Sequence, residues 1–576
     1  METQLRTTLP CAFTALALFL VFLITPCNAL NETVLVSEAA SGEGKWQLLL
    51  ENTGVVAMHM ALTHRNTVVF FDQRGSGGSG YQLRRRFNGT RCKGSREDLS
   101  DPSCYAHSVE YDLLNNTIRP LRFISDTWCS SGTILSNGTI MQTGGYRDGS
   151  KRIQFFSPCV DRMCNWRPGR KHLADERWYA SNQILPGKND RVIIVGGKRA
   201  FTFEFVPRFP NMPKSTDLPF LHQTYERNSG GNNLYPFLHL SSDGYLFIFA
   251  NRDSILFNYR KNKVVKKFPR MPGEGSRSYP STGSSVILPL DHKNRFQRVE
   301  VMICGGATAG AYAEAKQGRY VEGQKSCGRM VITGNKHKWN MENMPGPRLM
   351  NDMVILPTGQ ILIINGVKRG CAGWGNGASP AFEPYIYSPG KTVGKRFSVL
   401  RATKIARMYH STATLLPDGR VLVAGSNPND GYFFTNVPHP TELRLQAFVP
   451  DYMDRQYDNQ RPKNVTVSVD GSPGAVVTYG KPFRVRFWLD KKRPSNDLDF
   501  SAYSPPFTTH SIAMNQRMLK LKCRSMERGD NGMVNAVVEA PPSPMVAPAG
   551  YYMLTVVHGG IPSISHWVKF MNAASF

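Results

Sequence analysis

The stretch "RMYHSTATLLPDGRVLVAGSNPN", residues 407–429, sets a phenol, Tyr409, beside an imidazole, His410, at the start of a strand–turn–strand pattern. Two further strand starts carry a redox-capable side chain: "DTWCSSGTILSNGT" has Cys129 and "ERWYASNQIL" has Tyr179. A second histidine, His510, lies far downstream in the Pro-rich "SPPFTTHSIAMNQR", which reads as a loop between strands. Two imidazoles and two phenolate oxygens make a mixed N,O donor set, and a tetragonal N,O environment suits Cu(II). No Cys-x-x-Cys, His-Glu-x-x-His or strand-linked Gly-x-Gly-x-x-Gly pattern occurs, which disfavours structural zinc, zincin and Rossmann-type chemistry.

These residues reach one point only if the fold brings separate strands to a common axis. Internal similarity supplies that fold. The segments "GTILSNGTIMQTGG", "NQILPGKNDRVIIVGG", "LHLSSDGYLFIFAN", "VILPLDHKNRFQRVEVMICGG", "VILPTGQILIING" and "ATLLPDGRVLVAG" each read as apolar strand, tight turn, apolar strand and exit, usually at glycine. The exits recur every 52 to 60 residues, slightly longer than a kelch unit, and "MALTHRNTVVFFDQ" adds an earlier copy. The chain is expected to be all-β: a seven-bladed kelch-type β-propeller over 30–452 and an immunoglobulin-like β-sandwich over 453–576. The strands of the latter include "FRVRFWL" and "YYMLTVV".

From Cys129, Tyr179 and Tyr409 to the first exit glycine there are 15, 17 and 16 residues. These three therefore read as equivalent positions in three blades, at one mouth of the central channel. Tyr235 and Tyr279 share this register, so a tyrosine there is also a common packing residue. His410, and the cysteine one blade before Tyr179, distinguish the candidates.

The chain has 576 residues and a net charge of +27. Its basic residues are scattered and carry no nucleic-acid motif, so an acidic setting such as cell-wall polysaccharide fits better than nucleic acid. Residues 1–29, with "AFTALALFLVFLI" and "CNA", read as a secretory signal peptide, and no later run is long enough to span a membrane. Asn31, Asn88, Asn115, Asn137 and Asn464 begin glycosylation triplets, as expected of a protein secreted to the extracellular space or cell wall. Nine cysteines remain after the leader; Cys92 with Cys104 and Cys159 with Cys164 are the expected pairs, and one cysteine must stay single.

With "PAGYYMLTVVHGGIPSISHWVKF" added, the quoted motifs in this order resemble the copper-radical oxidases, the galactose oxidase and glyoxal oxidase family, and most nearly its plant glyoxal oxidase-like branch. The resemblance implies that the C-terminal sandwich is of the E-set type. It implies a Cys129–Tyr179 thioether serving as a radical cofactor, with Tyr179, Tyr409, His410 and His510 holding one copper ion and Tyr409 acting as general base. The cross-link would take up the odd cysteine and leave eight for up to four disulfides. The implied reaction oxidises small aldehydes such as glyoxal or methylglyoxal to carboxylic acids and reduces O2 to H2O2. Primary-alcohol oxidation on galactose-containing wall polysaccharide and a non-catalytic glycan-binding propeller are the alternatives. In galactose oxidase a tryptophan covers the thioether; here "VGGKRAF" has Lys198 and Arg199 at the corresponding place.

Overall fold

In the computed structural model the chain is described from residue 44 to 573, except for 86–88, 93–103, 188, 470–471, 474 and 491–496. The expected signal peptide, Asn31 and Asn88 lie outside the described residues. Every hairpin read from the sequence is present, from His59–Leu62 with Thr67–Phe71 to Ser411–Leu415 with Val421–Gly425. Each forms the inner half of an antiparallel sheet, and among the described residues seven such sheets follow one another along the chain. The innermost strand of each lies beside that of the next, from Ser131–Ile134 through Ser181–Ile184, Phe237–Leu240, Ser284–Ile287 and Asp352–Ile355 to Ser411–Leu415. His59–Leu62 and the added strand Phe507–Thr509 return the circuit to Ser131–Ile134. This is a propeller-like ring of small sheets, closed by Lys45–Leu50 pairing antiparallel with Leu445–Val449 in the last of them.

A repeated polar staple joins neighbouring sheets. The Gly145 N–H donates to the Arg177 carbonyl at 3.0 Å, Gly306 to Arg348 at 2.9 Å and Gly366 to Arg407 at 2.7 Å. Each of these arginines then turns its buried guanidinium onto the exit of its own sheet: Arg177 Nη1 donates to the Gly196 carbonyl at 2.9 Å, Arg348 to Asn365 at 2.8 Å and Arg407 to Gly425 at 2.8 Å. The glycine exit is therefore a steric requirement as well as a turn. Gly144 has φ +72°, and a Cβ there would overlap the Arg177 carbonyl oxygen.

The C-terminal part forms two facing sheets. One contains Lys463–Val469, Pro482–Trp488, Met533–Glu539 and Cys523–Arg528; the other contains Leu498–Ser504, Gly550–His558 and His566–Met571. Alternating residues such as Phe483, Val485, Phe487, Val534, Ala536 and Val538 are buried between them, the pattern of a half-buried antiparallel strand. From this sandwich a hairpin, Phe507–Thr509 and Ile512–Met514, leaves and adds to the inner edge of the first propeller sheet. Asn515 Oδ1 accepts from Ile184 N at 2.7 Å and Gln516 Oε1 from Ile355 N at 2.9 Å, so the end of the hairpin is bonded to two more inner strands.

Cys92–Cys104 and Cys159–Cys164 are bonded as expected, and Cys304–Cys327 joins adjacent strands. These three bridges fall within the limit of four read from the count, and among the described residues Cys129, Cys371 and Cys523 are free, Cys371 buried beside Ala307, Ala311 and Ala315 and Cys523 in the C-terminal sandwich. Among the described residues no helix is long and apolar enough to cross a membrane.

Removing a staple strands buried carbonyls. Arg348→Leu leaves the Asn365 and Glu383 carbonyls without their donor and is expected to cost about 3 kcal/mol, seen as a lower urea midpoint. Arg319→Leu, in an exposed pair with Glu314, should leave that midpoint where it is; equal midpoints for the two variants would contradict the staple.

Candidate metal centre

The strand register corrects one reading of the sequence. Ser131 pairs with Thr143, Ser181 with Val195 and Thr412 with Ala424, each next to its exit glycine. Counting back two residues gives Cys129, Tyr179 and His410, so His410, rather than Tyr409, is the equivalent of the other two. The turn over 416–420 is as long as that over 135–139 and shorter than 185–191, which makes 15 residues the matching separation. Tyr235 holds this register before Phe237–Leu240; Tyr279 does not, because Thr282 occupies it. All these register residues, and Met350 in the next sheet, have positive φ, between 45° and 67°. For non-glycine residues this costs on the order of 1–2 kcal/mol each, and it turns the side chain out of the strand's alternation at the ring mouth.

His510 is likewise more constrained than a loop residue. It and Ser511 are the two central residues of a two-residue hairpin turn, with φ of 46° and 69° as a type I′ turn requires. The turn buries the His510 ring against the ring mouth, 5.0 Å from His410, 5.4 Å from Tyr409 and 6.1 Å from Tyr179 between ring centroids. His510 Nδ1 meets Thr509 Oγ1 at 2.6 Å, and Nε2 lies 3.2 Å from Cys129 Sγ. One ligating atom each from Cys129, His410 and His510 falls within 4.8 Å of the others. The Cys129 thiol also interacts with the Tyr179 and Tyr409 hydroxyls. The structure thus brings all five candidate residues into one buried cluster. Three of the expected glycan acceptors, Asn115, Asn137 and Asn464, are exposed.

Burial holds this donor set in its neutral forms. Burial pushes the His410 imidazole well below its usual range, with neighbouring His59 adding to the effect, and His510 likewise, with His410 and His59 adding. Burial raises the Tyr179 and Tyr409 phenols and the Cys129 thiol. Without a cation the set is neutral, with both ring nitrogens of His510 engaged by Thr509 and Cys129. His410 Nε2 is buried without a hydrogen-bond partner, an open donor in a closed site. A metal ion would satisfy that nitrogen and favour ionised phenols, so the residues fit an N,O-coordinated ion.

Three neighbours were not legible as site residues. Tyr279 Oη lies 2.9 Å from Tyr409 Oη and 3.3 Å from Tyr179 Oη, bridging the two phenols. His59 stacks on Phe71 at 4.4 Å and meets Ser130 Oγ at 3.2 Å, so both faces and edges of its ring are engaged in holding the site. Trp178 lies 4.8 Å from the Tyr179 ring, and Lys198 Nζ stands 4.3 Å over Trp178. An indole therefore covers Tyr179, and the Lys198 ammonium sits one ring further out. The Tyr279 contacts and the His59–Ser130 contact cross between sheets, and the only sequence signal was the Trp-Tyr doublet itself.

Comparison with known proteins agrees with this geometry. The family model described as "Glyoxal oxidase N-terminus" matches residues 58–452, and "Galactose oxidase-like, Early set domain" matches 461–570. Aldehyde oxidase GLOX of Vitis pseudoreticulata is 41% identical over 530 residues, covering 91% of this chain and 97% of that protein. Aldehyde oxidase GLOX1 of Arabidopsis thaliana is 40% identical over 546 residues, covering 93% and 86%. A solved fungal alcohol oxidase, described as in complex with copper, superposes with TM-score 0.69 at 16% identity over 92% of this chain and 99% of its own, a likeness of fold.

The buried neutral histidines give a pH signature. His239, bonded to Ser285 Oγ at 2.7 Å, is held by burial at about 3, against 6.5 for the free side chain. Below 6.5 the unfolded chain takes up a proton that the fold refuses, so the contribution of this residue to stability falls with pH. The stability advantage of the parent over His239→Gln is expected to shrink between pH 7 and 4 in urea titrations; an advantage that grows would contradict the assignment.

Proposed function

The chain belongs to the glyoxal oxidase family, and we propose from that premise that it is a secreted copper-radical oxidase converting small aldehydes to carboxylic acids with release of H2O2. The observation that carries this reading is the convergence of Cys129, Tyr179, Tyr409, His410 and His510 in one buried site with an unpartnered imidazole nitrogen. We read residues 1–29 as the signal peptide, the seven sheets within 30–452 as seven blades, and 453–576 as the E-set sandwich. The matched spans and the sheet boundaries support that division. Three disulfides support an oxidising, extracellular destination. The charge of +27 supports residence near acidic wall polysaccharide.

Tyr179, Tyr409, His410 and His510 would hold the ion, which supplies exchange of a single electron. Removing a hydride equivalent from a hydrated aldehyde takes two electrons away from it, and Tyr179, joined to Cys129 by a thioether, would accept the second as a phenoxyl radical. Tyr409 takes the substrate hydroxyl proton, and its bond to Tyr279 fixes the accepting oxygen. Tyr179 then takes hydrogen from the substrate carbon. Over the cycle the hydrated aldehyde loses two electrons and two protons, and O2 gains them as H2O2. Burial of the whole set keeps bulk water from quenching the radical.

Two measurements test this. Peptide mass spectrometry after copper loading should find Cys129 and Tyr179 in one cross-linked species, and the loaded protein should release peroxide with glyoxal and methylglyoxal rather than with galactose or a pectin fragment. Separate peptides would remove the radical mechanism, and release with galactose alone would transfer the chemistry to alcohols. His510→Asn, which tolerates the positive φ of the turn, should lose copper while keeping the parent's circular dichroism; full copper content would exclude the hairpin as a ligand source.

A further inference from the structure

Tyr179 is buried, yet its ring is the inner end of a line of touching aromatic rings. Trp178 lies 4.8 Å from it, Trp128 4.9 Å from Trp178, and Trp374 is stacked on Trp128 at 4.7 Å with 6° between the planes. The line starts at a buried phenol and ends at half-buried indoles at the ring mouth. It draws on three separated segments of chain, since Trp128 precedes Cys129, Trp178 precedes Tyr179 and Trp374 comes from the loop after Val367–Gly370. The indole N–H groups of Trp128 and Trp374 have no hydrogen-bond partner and that of Trp178 is directed to the Cys129 thiol, so the two outer rings are arranged for face contact and not for polar anchoring.

The flanks of the line, beside Trp178 and Trp128, are basic. Lys198, Arg199 and Arg147 are exposed there, Lys198 lying over Trp178 and Arg147 over Tyr146, whose ring is 4.6 Å from Trp178 and 4.8 Å from Trp128. The carboxylates nearby are engaged: Asp148 pairs with Arg74 at 3.0 Å, and Asp126 accepts from the Trp128 and Arg74 backbone N–H groups. An ammonium over an indole disfavours a second positive charge on that ring. Trp178 is thereby suited to couple its neighbours electronically while the oxidised state rests on Tyr179.

We propose that the Trp374–Trp128–Trp178 stack is an electron port, through which an anionic one-electron acceptor docked at Trp374 oxidises Tyr179 to its radical. This rests on the reading of Tyr179 as the radical residue and goes beyond it by assigning a surface and a partner chemistry. The step balances simply: the ionised Tyr179 of the loaded protein gives up one electron, the acceptor gains it, no bond is made or broken and no proton moves.

The test uses the copper-loaded, cross-linked protein in its one-electron-reduced form, with ferricyanide as acceptor. Stopped-flow absorption of the phenoxyl and loss of the Cu(II) EPR signal are the readouts. Trp374→Leu should slow radical formation by about tenfold or more, and Trp128→Phe, which keeps a ring in place, should slow it less. Copper content and circular dichroism should match the parent in both. With the parent, ferricyanide should react several-fold more slowly as salt rises, while a cationic cobalt(III) complex should not. Parent-like rates in Trp374→Leu, or equal salt responses of the two acceptors, would overturn the port while leaving the radical site intact. Absence of any radical in the parent would remove both.

Discussion

A buried guanidinium that reaches the carbonyl ending its own sheet, while its own carbonyl receives an N–H from the sheet before, is the contact on which the ring depends. It converts a row of independent hairpins into a circuit with fixed spacing. Small four-stranded sheets have little core of their own, and their apolar faces are satisfied only against neighbours. The staple defines how those neighbours meet, because its two bonds lie at the same register in each sheet. Arg177, Arg348 and Arg407 repeat it, and Arg277, bonded to the Gly305 carbonyl at 2.6 Å, carries the same guanidinium contact in the sheet between.

Given that spacing, the site follows from a local backbone device. The residue two places before the one paired beside the sheet's exit adopts a left-handed conformation in six consecutive sheets, and three of these residues are Cys129, Tyr179 and His410. The fold thus produces equivalent side chains at one mouth whatever their identity, as Tyr235, Thr282 and Met350 show. Chemistry enters only where the residue type suits it. The remaining imidazole comes from outside the ring, and its hairpin is held to three inner strands, one by a backbone ladder and two through the side chains of Asn515 and Gln516.

Much of this was legible from one sequence. Apolar alternation around "DG" and "NG" turns located the inner hairpins, because period two and positive φ are local properties. The five site candidates were legible for the same reason, since each abuts a recognisable strand. What failed were comparisons across elements. Tyr409 was aligned where His410 belongs because a single residue of turn length cannot be resolved without the ladder. His510 looked like a loop residue because its hairpin is stabilised by strands some 450 positions away in the chain, as the Thr509–His59 pairing shows. Tyr279 and His59 reach the site through contacts between sheets, which no local pattern records. The cysteine count bounded the bridges at four without saying which cysteines pair, and the fold leaves Cys371 and Cys523 free.

The closing strand bears on how the molecule comes into being. Lys45–Leu50 has its partner in Leu445–Val449, so a chain emerging from its N-terminus carries an unpaired first strand through the making of nearly the whole ring. His510 is made later still. The last donor therefore reaches the mouth only after the circuit has its closing partner, and a centre built from Cys129, Tyr179, Tyr409 and His410 stays incomplete throughout synthesis. Topology by itself sets the order of synthesis: the ring's closing strand first, then the imidazole that completes the candidate donor set, so that the cluster is the last part of the container to be filled.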